Sequence, residues 1–310
     1  MTRKVVITGI NGFVGDHVAD TFIEDGFEIL GVGHDTLPAE SIRDKVLSYI
    51  SCNLLIPTEI TKIPLSDVDV IVHLAGLSNV GDSFNRAVTY ITDNATMTYY
   101  LLEYARLQNF TGRIIIVSSG ALYDPDQSLP LTELSASLEN SPYAVGKLAV
   151  EHVSNYFRLR NLDTVIVRPF NHIGPGQNKG FIVPDLYIQL SEAKNQELKS
   201  ITVGNLSTRR DYTDVRDIAK AYKLIALADK LDYHLYNICT GRSLAGTDIL
   251  HLLQSSLGIE EIDYTIDSSK IRPTDIADIY GDSSRLRAET GWTPEISVEQ
   301  TIQDFLKTAS

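Results

Sequence analysis

Tyr143 and Lys147 stand four residues apart in YAVGK, which on a helix puts them on one face, one turn apart; no other tyrosine in the chain is followed by a lysine at that spacing. Upstream, VSSGALY places Ser119 just after the apolar run RIIIV, at the strand end where parallel sheets bind ligands. These residue types suit redox chemistry at a carbonyl. Serine can hydrogen-bond the oxygen, the phenol can protonate it as a hydride reaches the carbon, and the ammonium can bias the phenol. A free tyrosine titrates near ~10, so proton exchange near neutrality asks for a pKa lower by about 3 units, or roughly 4 kcal/mol.

A hydride must come from somewhere, and TGINGFVG, residues 8–15, points to the source. Gly9, Gly12 and Gly15 fall at every third position between an apolar run and an amphipathic stretch. A helix N-terminus presents free N–H groups and partial positive charge, and missing side chains let a pyrophosphate approach. A tight strand-to-helix turn could need the same glycines, but the surrounding strand–helix alternation favours a dinucleotide. An oxidised nicotinamide ring would then add to the pull on the phenol. Lys147 would hold the ribose as well as bias Tyr143.

These groups need a sheet to carry them. KVVITGI, FEILGVG, VDVIVHLAG, RIIIVSS, TVIVRP and YNICT are short apolar runs separated by helical stretches, the pattern of a parallel sheet buried on both faces. Helices are expected over 12–24, 82–108 and 142–160, the last with Ser141 as N-cap and Pro142 at the first helical position. The expectation is an α/β fold, a Rossmann-type doubly wound parallel sheet with a smaller C-terminal substrate-binding lobe. Residues 1–170 plus about 212–240 would form the first unit, and about 171–211 plus 241–310 the second.

Composition narrows the partners. A net charge of −13 in 310 residues argues against nucleic acid, and no apolar run approaches the length of a membrane span. The start, VVITGI, reads as a strand and not as a signal peptide. Cys52 and Cys239 are far apart, with no CxxC or HExxH spacing anywhere, so a reduced cytoplasmic setting and no metal are expected.

The GxxGxxG spacing together with YxxxK resembles the extended branch of the short-chain dehydrogenases/reductases over nearly the whole chain. That resemblance implies Ser119, Tyr143 and Lys147 as catalytic residues and NAD(P) as cofactor. It implies cofactor contacts at Gly9, Asn11, Gly12, Phe13, Val14, Gly15, His34, Asn53, Leu54, Leu74, Ala75, Gly76, Asn94, Tyr143, Lys147, Phe170 and His172. His73 in HLAG reads equally as a satisfied residue at a strand end, and Asn94 equally as a packing polar group. The second apolar run ends in Gly33, His34 and Asp35: Gly33 leaves room for a 2′-phosphate and His34 could bind it, whereas Asp35 would repel it or accept from a 2′-OH. The balance tilts to NADP(H) over NAD(H).

RPFNHIGPGQ at 168–177, RRDYTDVRD at 209–217, RPTD at 272–275 and TGWTPEIS at 290–297 are similar to the group of that family acting on GDP-sugars. The implied substrate contacts are Ser78, Ser119, Asn171, Val183, Arg210, Arg272 and Asp275, with the arginines suited to a pyrophosphate. Dehydratases of the group carry a glutamate two residues before the tyrosine of the LY pair, where this chain has Ala121; a methyl group moves no proton. Two further positions depart from the pattern, Asp124 after Tyr123 and Gly146 before the lysine. The expectation is therefore reduction of a C4 keto group, with GDP-4-dehydro-6-deoxy-D-mannose as the favoured nucleotide sugar. A nucleotide-sugar 4-epimerase with retained NAD is the alternative, and a noncatalytic NAD(P)-sensing module a second. The resemblance also implies a homodimer through the helices at 82–108 and 142–160, with Tyr99, Tyr100, Tyr104, Tyr156 and Phe157 as candidate contacts.

Overall fold

The apolar runs become strands of one parallel sheet in the computed structural model, which describes residues 2–260, 262–268 and 276–309. The strands are β1 (Lys4–Thr8), β2 (Glu28–Gly33), β3 (Ser48–Ser51), β4 (Val70–His73), β5 (Arg113–Val117), β6 (Asp163–Pro169) and Leu235–Ile238. Their spatial order is 3-2-1-4-5-6, with Leu235–Ile238 beside β6, and every neighbouring pair is parallel. The order reverses between β1 and β4, which opens a crevice at the C-terminal ends of those strands.

Both faces of the sheet are covered, and alternate residues divide between them. Val5, Ile7, Val70, Val72, Val165 and Val167 pack with Phe22, Ile218 and Tyr222 from helices Phe13–Ile23 and Val215–Leu227. Val6, Ile71, Ile114, Ile116 and Ile166 pack with Leu101, Leu102, Val150 and Phe157 from helices Ala87–Leu107 and Pro142–Arg158. Each fully buried aliphatic side chain contributes roughly 1.5–3 kcal/mol, so a one-residue slip of any central strand is heavily disfavoured. That fixed register is what aims the strand ends.

The structure departs from the sequence reading in two places. A seventh strand, β3, is present at the sheet edge; its sequence SYIS is half exposed and carries no apolar run. The helix expected at 82–108 is broken, because Arg86 leaves the helical region, so a single turn at Val80–Ser83 precedes Ala87–Leu107. Ser141 does cap the next helix, its hydroxyl accepting from the Ala144 amide at 3.1 Å, with Pro142 following.

Helices Ile182–Asn195, Gly246–Leu257 and Val298–Thr308 enclose a separate core of Ile173, Leu190, Ile249, Leu253, Ile302 and Phe305. Arg216, at the start of Val215–Leu227, joins Asp214 at 2.8 Å and Asp304 at 2.9 Å, tying that helix to the C-terminal one. Among the described residues no helix is long and apolar enough to cross a membrane.

Candidate active site

The turn after β1 is built for close approach. Gly9 sits at φ +72°, and a Cβ there would lie 2.8 Å from the Ala75 amide nitrogen. Gly15 is as tightly placed: a Cβ would press on the carbonyl oxygens of Ile10 and Gly9. Gly12 caps helix Phe13–Ile23 without any side-chain hydrogen bond, leaving the first N–H groups for an anion. Val14 packs partly into the core beneath.

Asn11 turns toward the end of β2. Its side chain donates to Asp35 Oδ2 at 2.8 Å and accepts from the Ala39 amide at 2.9 Å, so it braces the 35–39 loop. Tyr49 donates to the Asp35 carbonyl at 2.9 Å, and its hydroxyl lies 2.6 Å from where a Gly33 Cβ would be. The room expected beside Gly33 is therefore occupied by Tyr49, a residue the sequence did not single out. The exposed His34 reaches Asp35 at 3.4 Å. Asn53 is exposed and Leu54 is buried in the core after β3.

The loop after β4 is held from two sides. The Ala75 amide donates to Thr8 Oγ1 at 3.2 Å, while Asn94 Oδ1 accepts from the Leu77 amide at 2.7 Å and its Nδ2 donates to the Leu77 carbonyl at 3.2 Å. Asn94 thus works as a buried brace for the loop that carries Leu74, Ala75, Gly76 and Ser78. His73 is the satisfied strand-end residue: its ring nitrogens meet Thr8 Oγ1 at 2.8 Å and Thr98 Oγ1 at 3.1 Å. Burial, and then the Lys147 charge, push its pKa down to about 3, so the ring is neutral.

Ser119, Tyr143 and Lys147 converge beside that loop. Lys147 Nζ donates to the Val117 carbonyl at 2.8 Å, lies 3.6 Å from where a Gly76 Cβ would be, and is 6.0 Å from the Tyr143 ring centroid. Burial lowers its pKa to about 8, against the pull of Glu151. Tyr143 is buried, which raises its phenol, while a hydrogen bond with Ser119 opposes the rise. The protein's own groups do not by themselves lower the phenol, because desolvation outweighs the Ser119 hydrogen bond; the expected lowering also drew on an oxidised nicotinamide ring. A raised phenol remains protonated near neutrality, the state needed to donate a proton.

A buried ion pair lies directly behind the triad. Glu151, one turn beyond Lys147, binds Arg168 of β6 at 2.8 and 2.7 Å and accepts from Ser118 Oγ at 2.6 Å. The sequence carried one signal of it: an arginine in the otherwise apolar strand TVIVRP has to find a buried partner.

The remaining expected site residues divide. His172 stacks on Phe13 with ring centroids 6.1 Å apart, bringing the 171–177 segment against the glycine turn, and burial lowers its pKa. Asn171 and Ser78 are exposed. The Phe170 ring is spent on a small core with Tyr123, Leu131, Cys239 and Ile279, and Val183 is likewise buried in the core of the second lobe. Arg210 donates to the carbonyls of Arg209 and Ile276 at 2.8 and 2.6 Å. Arg272 and Asp275 lie outside the described residues.

A doubly wound sheet with an uncapped glycine turn, and a Ser/Tyr/Lys set at its carboxyl edge, defines an extended short-chain dehydrogenase/reductase. Comparison with known proteins gives the narrower grouping. A family model described as GDP-mannose 4,6 dehydratase matches residues 6–305, and the chain belongs to that family. It is 30% identical to the GDP-6-deoxy-D-mannose reductase of Pseudomonas aeruginosa over 99% of this chain and 97% of that protein. It is 27% identical to the GDP-6-deoxy-D-talose 4-dehydrogenase of Aggregatibacter actinomycetemcomitans, covering 91% of this chain and 90% of that one. Among solved structures, RMD from Pseudomonas aeruginosa complexed with NADPH superposes with a TM-score of 0.83 at 26% identity, covering 99% of this chain and 98% of that one. The chain is a nucleotide-sugar-modifying NAD(P)-dependent oxidoreductase.

Proposed function

We propose that this protein reduces the C4 keto group of a nucleotide-activated sugar, GDP-4-dehydro-6-deoxy-D-mannose to GDP-D-rhamnose being the favoured reaction. The observation that carries the reading is the triad beside Ala121: Lys147 holds the Val117 carbonyl and Tyr143 shares a hydrogen bond with Ser119, while a methyl group stands where the elimination route has its glutamate. Bound NAD(P)H would supply the hydride at C4. Tyr143 gives its proton to the C4 oxygen, Ser119 holds that oxygen by a hydrogen bond, and Lys147 holds the ribose and carries positive charge beside the developing phenolate. The C4 carbonyl becomes an alcohol, and Tyr143 is reprotonated from solvent.

The names of the two GDP-sugar relatives support the GDP base. The NADPH-bound relative and the exposed His34 support NADP(H), with Asp35 as the opposing charge. Exposed Val88, Tyr99 and Tyr156 on helices Ala87–Leu107 and Pro142–Arg158, with Leu159 at the cap of the second, support a homodimer through those helices, whereas Phe157 is fully buried and the Tyr104 hydroxyl binds the Ile63 carbonyl within the chain. The test is consumption of NADPH and NADH by purified protein with the 4-keto GDP-sugar. One equivalent oxidised per sugar reduced is expected, faster with NADPH; turnover of a nucleotide sugar without net nicotinamide change would instead identify an epimerase.

A further inference from the structure

The Glu151–Arg168 pair does more than fill the space between helix Pro142–Arg158 and the sheet. Taking two charges out of water costs about what their attraction returns, so such a pair contributes little net stability compared with an apolar replacement. Its placement is what is informative. Glu151 is one turn from Lys147 on the same helix face, and the two residues grip consecutive positions of one turn: Lys147 the Val117 carbonyl, Glu151 the Ser118 hydroxyl. Ser119, the next residue, is thereby fixed relative to the helix that carries Tyr143.

We propose that Glu151 is a positioning residue for the reaction: clamped by Arg168, its carboxylate sets where the Ser118–Ser119 turn sits, beside the Lys147 ammonium that grips the same turn at Val117. The groups packed around Lys147 support this. Tyr143 is a neutral phenol on the same helix, His73 of β4 is neutral, Asn94 of helix Ala87–Leu107 is uncharged, and Arg168 of β6 is a cation spent on Glu151. Among the described residues, Glu151 is the carboxylate that acts on Lys147 through space, and it favours the charged form against burial. The carboxylate therefore holds the turn that Lys147 also grips and favours the charged form of the lysine.

The proposal rests on Lys147 as the group that holds the nicotinamide ribose, so its test reads cofactor binding first, which requires no sugar and is indifferent to the substrate assignment. NAD(P)H fluorescence titration of wild type across pH should show binding weakening as pH rises through about 8, where Lys147 loses its proton. In Glu151→Gln that weakening should move to lower pH, and turnover at pH 7 should fall about tenfold or more. Glu151→Asp, which keeps the charge, should restore the wild-type pH dependence. A folded Glu151→Gln with the wild-type pH dependence overturns the proposal. Should Glu151→Gln not fold, Ser118→Ala decides: a severalfold loss of turnover with unchanged pH dependence supports the positioning of the serine turn, and wild-type turnover refutes it. A wild-type protein that binds neither NADPH nor NADH would defeat the proposed function instead.

Discussion

Asn94→Ala removes the brace of the loop after β4 and nothing that touches the reacting atoms. Two hydrogen bonds to Leu77, at 2.7 and 3.2 Å, are lost from a side chain only 2% exposed. At a net value of about 1 kcal/mol each the cost is roughly 2 kcal/mol, rising toward about 3 if the Leu77 amide stays dry. Unfolding entropy near 2.1 cal/mol/K per residue translates roughly 2 kcal/mol into a drop in Tm of about 3 °C for a chain of this length. The same loop carries Gly76, which lies between Asn94 and Lys147, so the freed loop should weaken cofactor binding too, by about 30-fold if the whole of roughly 2 kcal/mol falls on that step and about 150-fold for about 3 kcal/mol. Thermal melts and NAD(P)H fluorescence titrations measure the two effects separately. A melt lowered by about 3 °C with an unchanged NAD(P)H Kd would refute the claim that Asn94 shapes the cofactor site.

Tyr143→Phe should lose about 10²–10⁴ in kcat while binding NAD(P)H as wild type does, measured by single-turnover kinetics and titration. Gly15→Ala should abolish tight NAD(P)H binding and cost about 1–3 kcal/mol in denaturant melts, because the new methyl group presses on the Ile10 and Gly9 carbonyls. His73 stays neutral in the folded state down to about pH 3, whereas the unfolded imidazole takes up a proton below about 6.5. The unfolded state thus binds more protons in that window, so stability should decline as pH drops from about 6.5 toward 3, and His73→Gln should flatten part of the decline in Tm against pH.

What could be read from the sequence was whatever is local. The six apolar runs announced their strands because both faces of the sheet are buried; SYIS at the edge is half exposed and announced nothing. YAVGK and the glycine turn were legible since the chemistry depends on spacing within one helix or one turn. Asn94 could not be decided between ligand and packing group, for its partner Leu77 is seventeen residues away and reached only through the fold. Tyr49 over Gly33 is the same case, an edge-strand residue whose hydroxyl closes a space that the sequence left open. The upward push on the phenol was not legible because burial is a tertiary quantity: the ammonium was visible in YAVGK, but the desolvation of Tyr143 was not.

The account's central claim is direct hydride transfer from free NAD(P)H to C4 of a nucleotide sugar. Incubating the protein with the 4-keto GDP-sugar and [4-²H]NADPH or NADH carrying deuterium on the transferred face, followed by NMR of the sugar, tests it most directly. One deuterium at C4 of a 6-deoxy GDP-sugar, lost in Tyr143→Phe, is the predicted result. A turned-over nucleotide sugar with no deuterium at C4 would contradict it.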